Sequence, residues 1–192
     1  MIKVLGRHEN EEVDICMKHD ENNGFVAYFQ IDKNPTRKLE TTEDYDEFAI
    51  STYKSAVDYS QIVEVSFKSL FPNCIPAICS IASFASELFM KSIVYLKLQK
   101  LCKGHDLFEI YNLLPNEIKE EIKHNHPCSN TKKERFELEL KETGKGFETL
   151  RYHHEKSRLA FNVVFIIELM LTLRSCCSHL FSKEVFSTMK IH

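Results

Sequence analysis

Phe161-Asn-Val-Val-Phe-Ile-Ile-Glu-Leu-Met-Leu-Thr-Leu173 is the most apolar run of the chain, and its reading decides the fold. Apolar residues fall on every side of a helical wheel here, not on one stripe, so a helix built from them needs cover all round. The run is interrupted by Asn162 and Glu168 and is shorter than the ~20 residues a membrane span requires. It therefore predicts a buried core helix over about 158–180, the centre that the others wrap, and no membrane span. Glu168 must then find a partner or take a raised pKa, because an unpaired buried carboxylate is costly. That makes it a secondary site candidate, beside the simpler reading of a hydrogen bond to a neighbouring helix.

The chain before this run supplies the wrapping helices. Thr42 predicts an N-cap, and Phe48, Ala49, Thr52, Tyr53, Ala56, Tyr59, Ser60 and Val63 recur at helical spacing to about Lys68. Phe71-Pro72 and Pro76 stop and restart the chain. Ile78, Ile81, Ala82, Ala85, Leu88, Phe89, Ile93 and Leu96 predict a second long helix, on which Glu87 and Lys91 read most simply as a surface ion pair. Asp106 predicts the N-cap of a short helix carrying Leu107, Ile110, Tyr111 and Leu114. A charged helix from Asn116 ends at Pro127, and the polar segment from Ser129 to Glu142 is expected to be mobile.

Near the amino terminus the period changes to two. Val13, Ile15 and Met17, then Phe25, Ala27, Phe29 and Ile31, flank Asp20-Glu-Asn-Asn-Gly24, which predicts a β-hairpin. Asp32 to Thr42 reads as the connection out of it. The expected fold class is all-α, a helical bundle over 42–192 with a small β-hairpin extension over 1–41.

Composition sets few limits on function. A formal net charge of -3 gives no global attraction to nucleic acid, so RNA binding requires a local patch. Seven cysteines, without CxxC and without a secretory signal, predict reduced thiols in a cytoplasm, with Cys102, Cys128, Cys176 and Cys177 as packing residues. His124, His126 and Cys128 have no second half of a metal site elsewhere, and no metal or other cofactor is expected. A chain with five glycines and no GxxxxGK[ST] carries no phosphate loop for ATP hydrolysis.

The densest cluster of reactive groups is Phe147-Glu-Thr-Leu-Arg-Tyr-His-His-Glu155. At helical spacing Phe147, Leu150, Arg151 and His154 share a face, with Glu155 one turn beyond Arg151. A cation, a titratable ring and an anion thus meet at the edge of an apolar seam. The plain alternative is a solvated Arg151–Glu155 pair worth ~0.3–0.5 kcal/mol on an amphipathic helix. Lys103-Gly-His-Asp-Leu107 adds His105 just outside the cap formed by Asp106.

Glu87-x-x-x-Lys91, Lys103-Gly-His-Asp-Leu107 with Leu113-Leu-Pro115, and Phe147-x-x-x-Arg-Tyr-x-x-Glu155, in that order, resemble the HEPN-like proteins of bacteria over roughly Ile75 to Leu173. The resemblance implies an up-and-down helical bundle that forms a homodimer. It implies either a metal-independent endoribonuclease of a toxin or phage-defence system, or a non-catalytic binding module that regulates a partner protein. HEPN ribonucleases carry an arginine and a histidine separated by four to six residues; beyond Arg151 that spacing reaches Lys156, Ser157 and Arg158. Arg174 and His179 match it, but on an unbroken helix their side chains point ~140° apart.

For RNA cleavage the candidate residues are His105 or His154 as base or acid, Arg151 as phosphate clamp, Glu155 as orienting group, and Asp106 beside them. In the binding-module alternative Arg151, Glu155, His105 and Asp106 form a polar network that fixes helix registry. Both readings bring His105 and Asp106 close to Arg151, His154 and Glu155.

Overall fold

A computed structural model of the protein describes residues 2–8, 11–20, 24–29, 39–69, 74–130, 133–151 and 161–184. The chain divides into two compact units, Met1–Leu39 and Glu40–His192. In the first, β1 (Ile2–His8), β2 (Glu11–Asp20) and β3 (Gly24–Phe29) form an antiparallel sheet in the order β1-β2-β3. Ile15 pairs with both Val4 and Phe29, and Met17 with both Ile2 and Ala27, so apolar residues occupy one set of alternate positions across the three strands. The sequence reading has no counterpart to β1, whose Lys3, Gly6 and Arg7 dilute the alternation. Ile31 and most of the connection that follows lie outside the described residues.

The second unit is helical. Its elements are α1 (Thr42–Lys68), α2 (Ile75–Leu98), α3 (Leu107–Leu113), α4 (Asn116–Asn125), α5 (Lys133–Thr143), α6 (Gly146–Arg151) and α7 (Val163–Glu184), with a 3-10 turn at Pro127–Asn130. Helix α1 starts one residue earlier than the sequence suggests. Thr41 is the N-cap, because its hydroxyl accepts from the Asp44 amide at 3.1 Å while the Asp44 carboxylate accepts from the Thr41 amide at 3.0 Å. Helix α2 begins with Pro76 in its first turn, where a missing N–H costs nothing. The Phe71-Pro72 stop lies outside the described residues.

Aromatic pairs fix how the long helices run. Phe48 meets Tyr95 at 4.8 Å and Tyr59 meets Phe84 at 4.9 Å, so α1 and α2 are antiparallel. Tyr53 stacks on Phe181 at 4.5 Å and Glu64 holds Arg174 at 2.8 Å, so α7 is antiparallel to α1. The central helix is α2, not the 158–180 helix that the sequence favours. Helix α2 packs against α1, α3, α6 and α7, and its apolar stretch is 72% buried against 50% for that of α7. Ala82, Ser83, Ala85 and Ser86 are all fully buried there: small side chains let neighbouring helices approach on every side.

Helix α7 is half covered. Phe165 and Leu169 are buried as expected, whereas Val164 is 63% and Leu171 41% exposed. Ile75–Leu98 and Val163–Lys183 are each long and apolar enough to cross a membrane by length and composition, since the apolar character of α7 continues beyond Leu173. A mostly buried helix such as α2 passes that test as the core of a folded bundle.

One further expectation is corrected. The segment from Ser129 to Glu142, read as mobile, contains α5, in which Phe136 and Leu140 are fully buried. Two buried apolar residues four apart suffice to seat a helix whose other positions, Leu138 and Thr143 apart, are charged.

Candidate functional site

The site starts from a fact of α2: it has no solvated face on which to put a charge. Ser83, Glu87 and Lys91 follow one another at single-turn intervals, and Glu87 is 1% and Lys91 9% exposed. Lys91 Nζ donates to Glu87 Oε1 at 2.8 Å. The pair that the sequence suggested as a surface ion pair is thus inside the protein. A carboxylate taken out of water needs more than one partner, and the second comes from the loop after α2.

That loop turns back through two left-handed residues. Gln99 ends α2 with φ 47° and its amide donates to Tyr95 O at 3.1 Å; Gly104 follows with φ 88°. Cys102 is buried and anchors the loop. Together they bring His105 over α2, with Nδ1 at 2.9 Å from Glu87 Oε1 and 3.1 Å from Oε2. A carboxylate acceptor fixes the ring proton on Nδ1, which leaves a lone pair on Nε2 when the imidazole is neutral. The His105 side chain is 48% exposed, and Nε2 makes no hydrogen bond with a described residue.

Asp106, the next residue, has a structural task. Its Oδ1 accepts from the Phe108 amide at 2.9 Å and the Glu109 amide at 3.3 Å, capping α3. The Leu107 amide donates to Gly144 O at 2.9 Å, and a Cβ at Gly144 would stand 2.6 Å from Asp106 Oδ1. The Leu107 amide therefore ties α3 to the turn between α5 and α6, and the Asp106 carboxylate beside that turn leaves room only for glycine at 144.

Helix α6 lies along the same side of α2. Phe147 stacks on Phe84 at 4.9 Å, and its ring lies 5.9 Å from that of His105. At the start of α6 a Cβ on Gly146 would meet Ser83 Oγ at 2.7 Å and Phe161 Cε2 at 2.8 Å. Ser83 Oγ is buried and has no hydrogen-bond partner among the described residues. The polar stripe Ser83–Glu87–Lys91 thus has α6 beside one part and the His105 loop over another.

Of the residues singled out from sequence, His105 and Asp106 are placed as described. Arg151 ends α6, one helical turn after Phe147. His154 and Glu155 lie outside the described residues, as does the Arg151 side chain. Glu87 and Lys91 are the residues whose importance spacing alone hides. The available signal was negative: α2 offers no run of polar positions that would make a surface pair sensible. Arg174 and His179 do not form a site, because α7 runs unbroken from Val163 to Glu184 and Arg174 is bound to Glu64. Among the described residues no three His, Cys, Asp or Glu side chains come together as metal ligands.

Chemically the arrangement is a histidine held by a buried carboxylate whose charge a lysine offsets. Such a dyad holds the imidazole in one orientation and one tautomer, ready to take a proton at Nε2 and to stabilise the imidazolium that forms. No family model matches the sequence, no curated protein is similar to it, and no solved structure matches its fold.

Proposed function

We propose that the chain is a HEPN-like helical module that cleaves RNA without a metal ion, as part of a toxin or phage-defence system. The observation that carries the reading is the half-exposed His105 imidazole pinned through Nδ1 to the buried Glu87. In the proposed reaction His105 Nε2 removes the proton from a ribose 2′-OH, and the 2′-oxygen attacks the adjacent phosphorus. The bond to the 5′-oxygen breaks, giving a 2′,3′-cyclic phosphate and a 5′-OH. Arg151 clamps the phosphate, His154 protonates the leaving oxygen, and Glu155 orients one of these groups. A homodimer would supply a second set of the same groups.

The second reading is a non-catalytic binding module acting on a partner protein. Its support is that Asp106 Oδ1 is occupied in capping α3 and that Glu87 and Lys91 are buried together, as in a network that fixes helix registry.

The test is incubation of the purified protein with total RNA in EDTA, beside His105→Ala and Arg151→Ala. The ribonuclease reading expects cleavage that either change abolishes, with Arg151→Ala leaving the melting temperature unchanged. Intact RNA with the unaltered protein would leave the binding module as the better reading.

A further inference from the structure

A cleft of about 290 Å³ opens where the 3-10 turn, α5 and the start of α7 meet. It is near the lower end of the ~300–1,000 Å³ range of small-molecule sites. Arg135 of α5 and Glu168 of α7 both line it, yet they form no ion pair with each other. Arg135 Nε donates to Glu139 Oε1 at 3.3 Å, and Glu139 Oε2 accepts from Asn162 Nδ2 at 2.9 Å, so Glu139 is occupied. Glu168 accepts no hydrogen bond from a described residue. Neither of these two charges closes on the other, so both the terminal nitrogens of Arg135 and the Glu168 carboxylate can meet a ligand in the cleft. The charges are felt at the Cys128 thiol, which burial pushes up, Arg135 pulls down, and Glu139 and Glu168 push up.

We infer that this cleft binds a free α-amino acid with an apolar side chain. The ligand's carboxylate meets the terminal N–H groups of Arg135 in fork geometry, helped by the positive end of α7, which begins in the same lining. The ammonium meets Glu168. The side chain lies on Pro127, Val164 and Phe165; Cys128 and Asn162 complete the lining, and the Asn162 side chain is already engaged, donating to Glu139 Oε2 at 2.9 Å and accepting from the Phe165 amide at 3.1 Å. An anion alone would face Glu168 without compensation, and an amine alone would face Arg135. A dipolar ion satisfies both. The site is independent of His105 and of RNA.

The experiment is calorimetric titration of the full chain with L-leucine, 3-methylbutylamine and 3-methylbutanoate. L-Leucine binds, and each analogue bearing one charge binds at least about tenfold more weakly. Glu168→Gln and Arg135→Gln each weaken leucine at least about tenfold. Should Arg135→Gln fail to fold for want of its Glu139 contact, Glu168→Gln alone decides. No heat from leucine, valine or phenylalanine at millimolar concentration overturns the proposal. So does an amine or carboxylate analogue that binds as tightly as leucine, or a Glu168→Gln protein that binds leucine unchanged.

Discussion

His105 Nδ1 lies 2.9 Å from Oε1 of Glu87, a carboxylate eighteen residues earlier in the chain and 1% exposed. The contact joins a loop to the most enclosed helix of the bundle, and it runs through a buried carboxylate that cannot tolerate isolation. Lys91, one turn along, holds the same oxygen at 2.8 Å. Removing any one of the three therefore has consequences for the other two, and their sizes differ.

Two ion pairs of equal length show this. Glu87–Lys91 and Glu64–Arg174 both measure 2.8 Å, but the side chains of the first are 1% and 11% exposed and those of the second 37% and 29%. Glu87→Ala leaves Lys91 charged and buried, and should cost about 3–5 kcal/mol in urea unfolding. Glu64→Ala should cost under about 1 kcal/mol. Equal losses for the two changes would contradict the burial of the α2 pair.

Glycine replacements should separate crowding from backbone strain. Gly146→Ala places a methyl 2.7 Å from Ser83 Oγ and 2.8 Å from a Phe161 ring carbon, and α6 must shift from α2 to admit it. A loss of about 1–3 kcal/mol is expected. Gly104→Ala meets nothing within 4 Å but must hold φ 88°, so its cost of about 1–2 kcal/mol comes from conformation alone. Adding Ser83→Ala should recover part of the Gly146→Ala loss and none of the Gly104→Ala loss. Recovery in both would mean that Ser83 is not what the new methyl meets.

The elements most legible in the sequence were those with punctuation. Prolines at 72, 76, 115 and 127 and the caps around 41–44 and at 106 mark ends that local chemistry decides. Helix α5 was missed because Phe136 and Leu140 are sparse among charges, and only the tertiary contact of Phe136 with Tyr111 and Phe165 gives them a purpose. The exchange of roles between α2 and α7 has a similar cause. The run from Phe161 to Leu173 drew attention to α7, while centrality depends on side-chain size, and alanine and serine let more helices approach α2 than leucine and methionine do α7. Of the candidate site, the His105–Asp106 turn was visible as a cap with a histidine beside it. Its partner Glu87 was visible only as half of a common helical pair, since spacing within one helix says nothing of what covers that helix.

Acid should loosen the corner formed by α4, α5 and α7. His126 is fully buried, with its ring 5.1 Å from that of Phe136 and 4.9 Å from that of Phe165. The Cys128 amide donates to Nδ1 at 3.1 Å, which puts the proton of the neutral ring on the buried Nε2; the Phe165 backbone favours the charged ring, but less than burial disfavours it. Burial lowers its pKa below the usual histidine value. The sign follows from proton counting. Below about pH 6.5 the unfolded chain binds a proton at this residue that the folded chain refuses, so folding loses stability as pH falls, by at most about 1.4 kcal/mol per unit. Above that pH both states are neutral and the term vanishes. His126→Phe keeps an aromatic ring in the cage and removes the titration, at the cost of leaving the Cys128 amide without its acceptor. The variant should be less stable than the parent at pH 8, and the gap should narrow as the pH is lowered through 6. Urea unfolding of both proteins at a series of pH values measures it directly. A gap that stays constant or widens on acidification would mean that His126 gains its proton in the folded protein as readily as in the unfolded one.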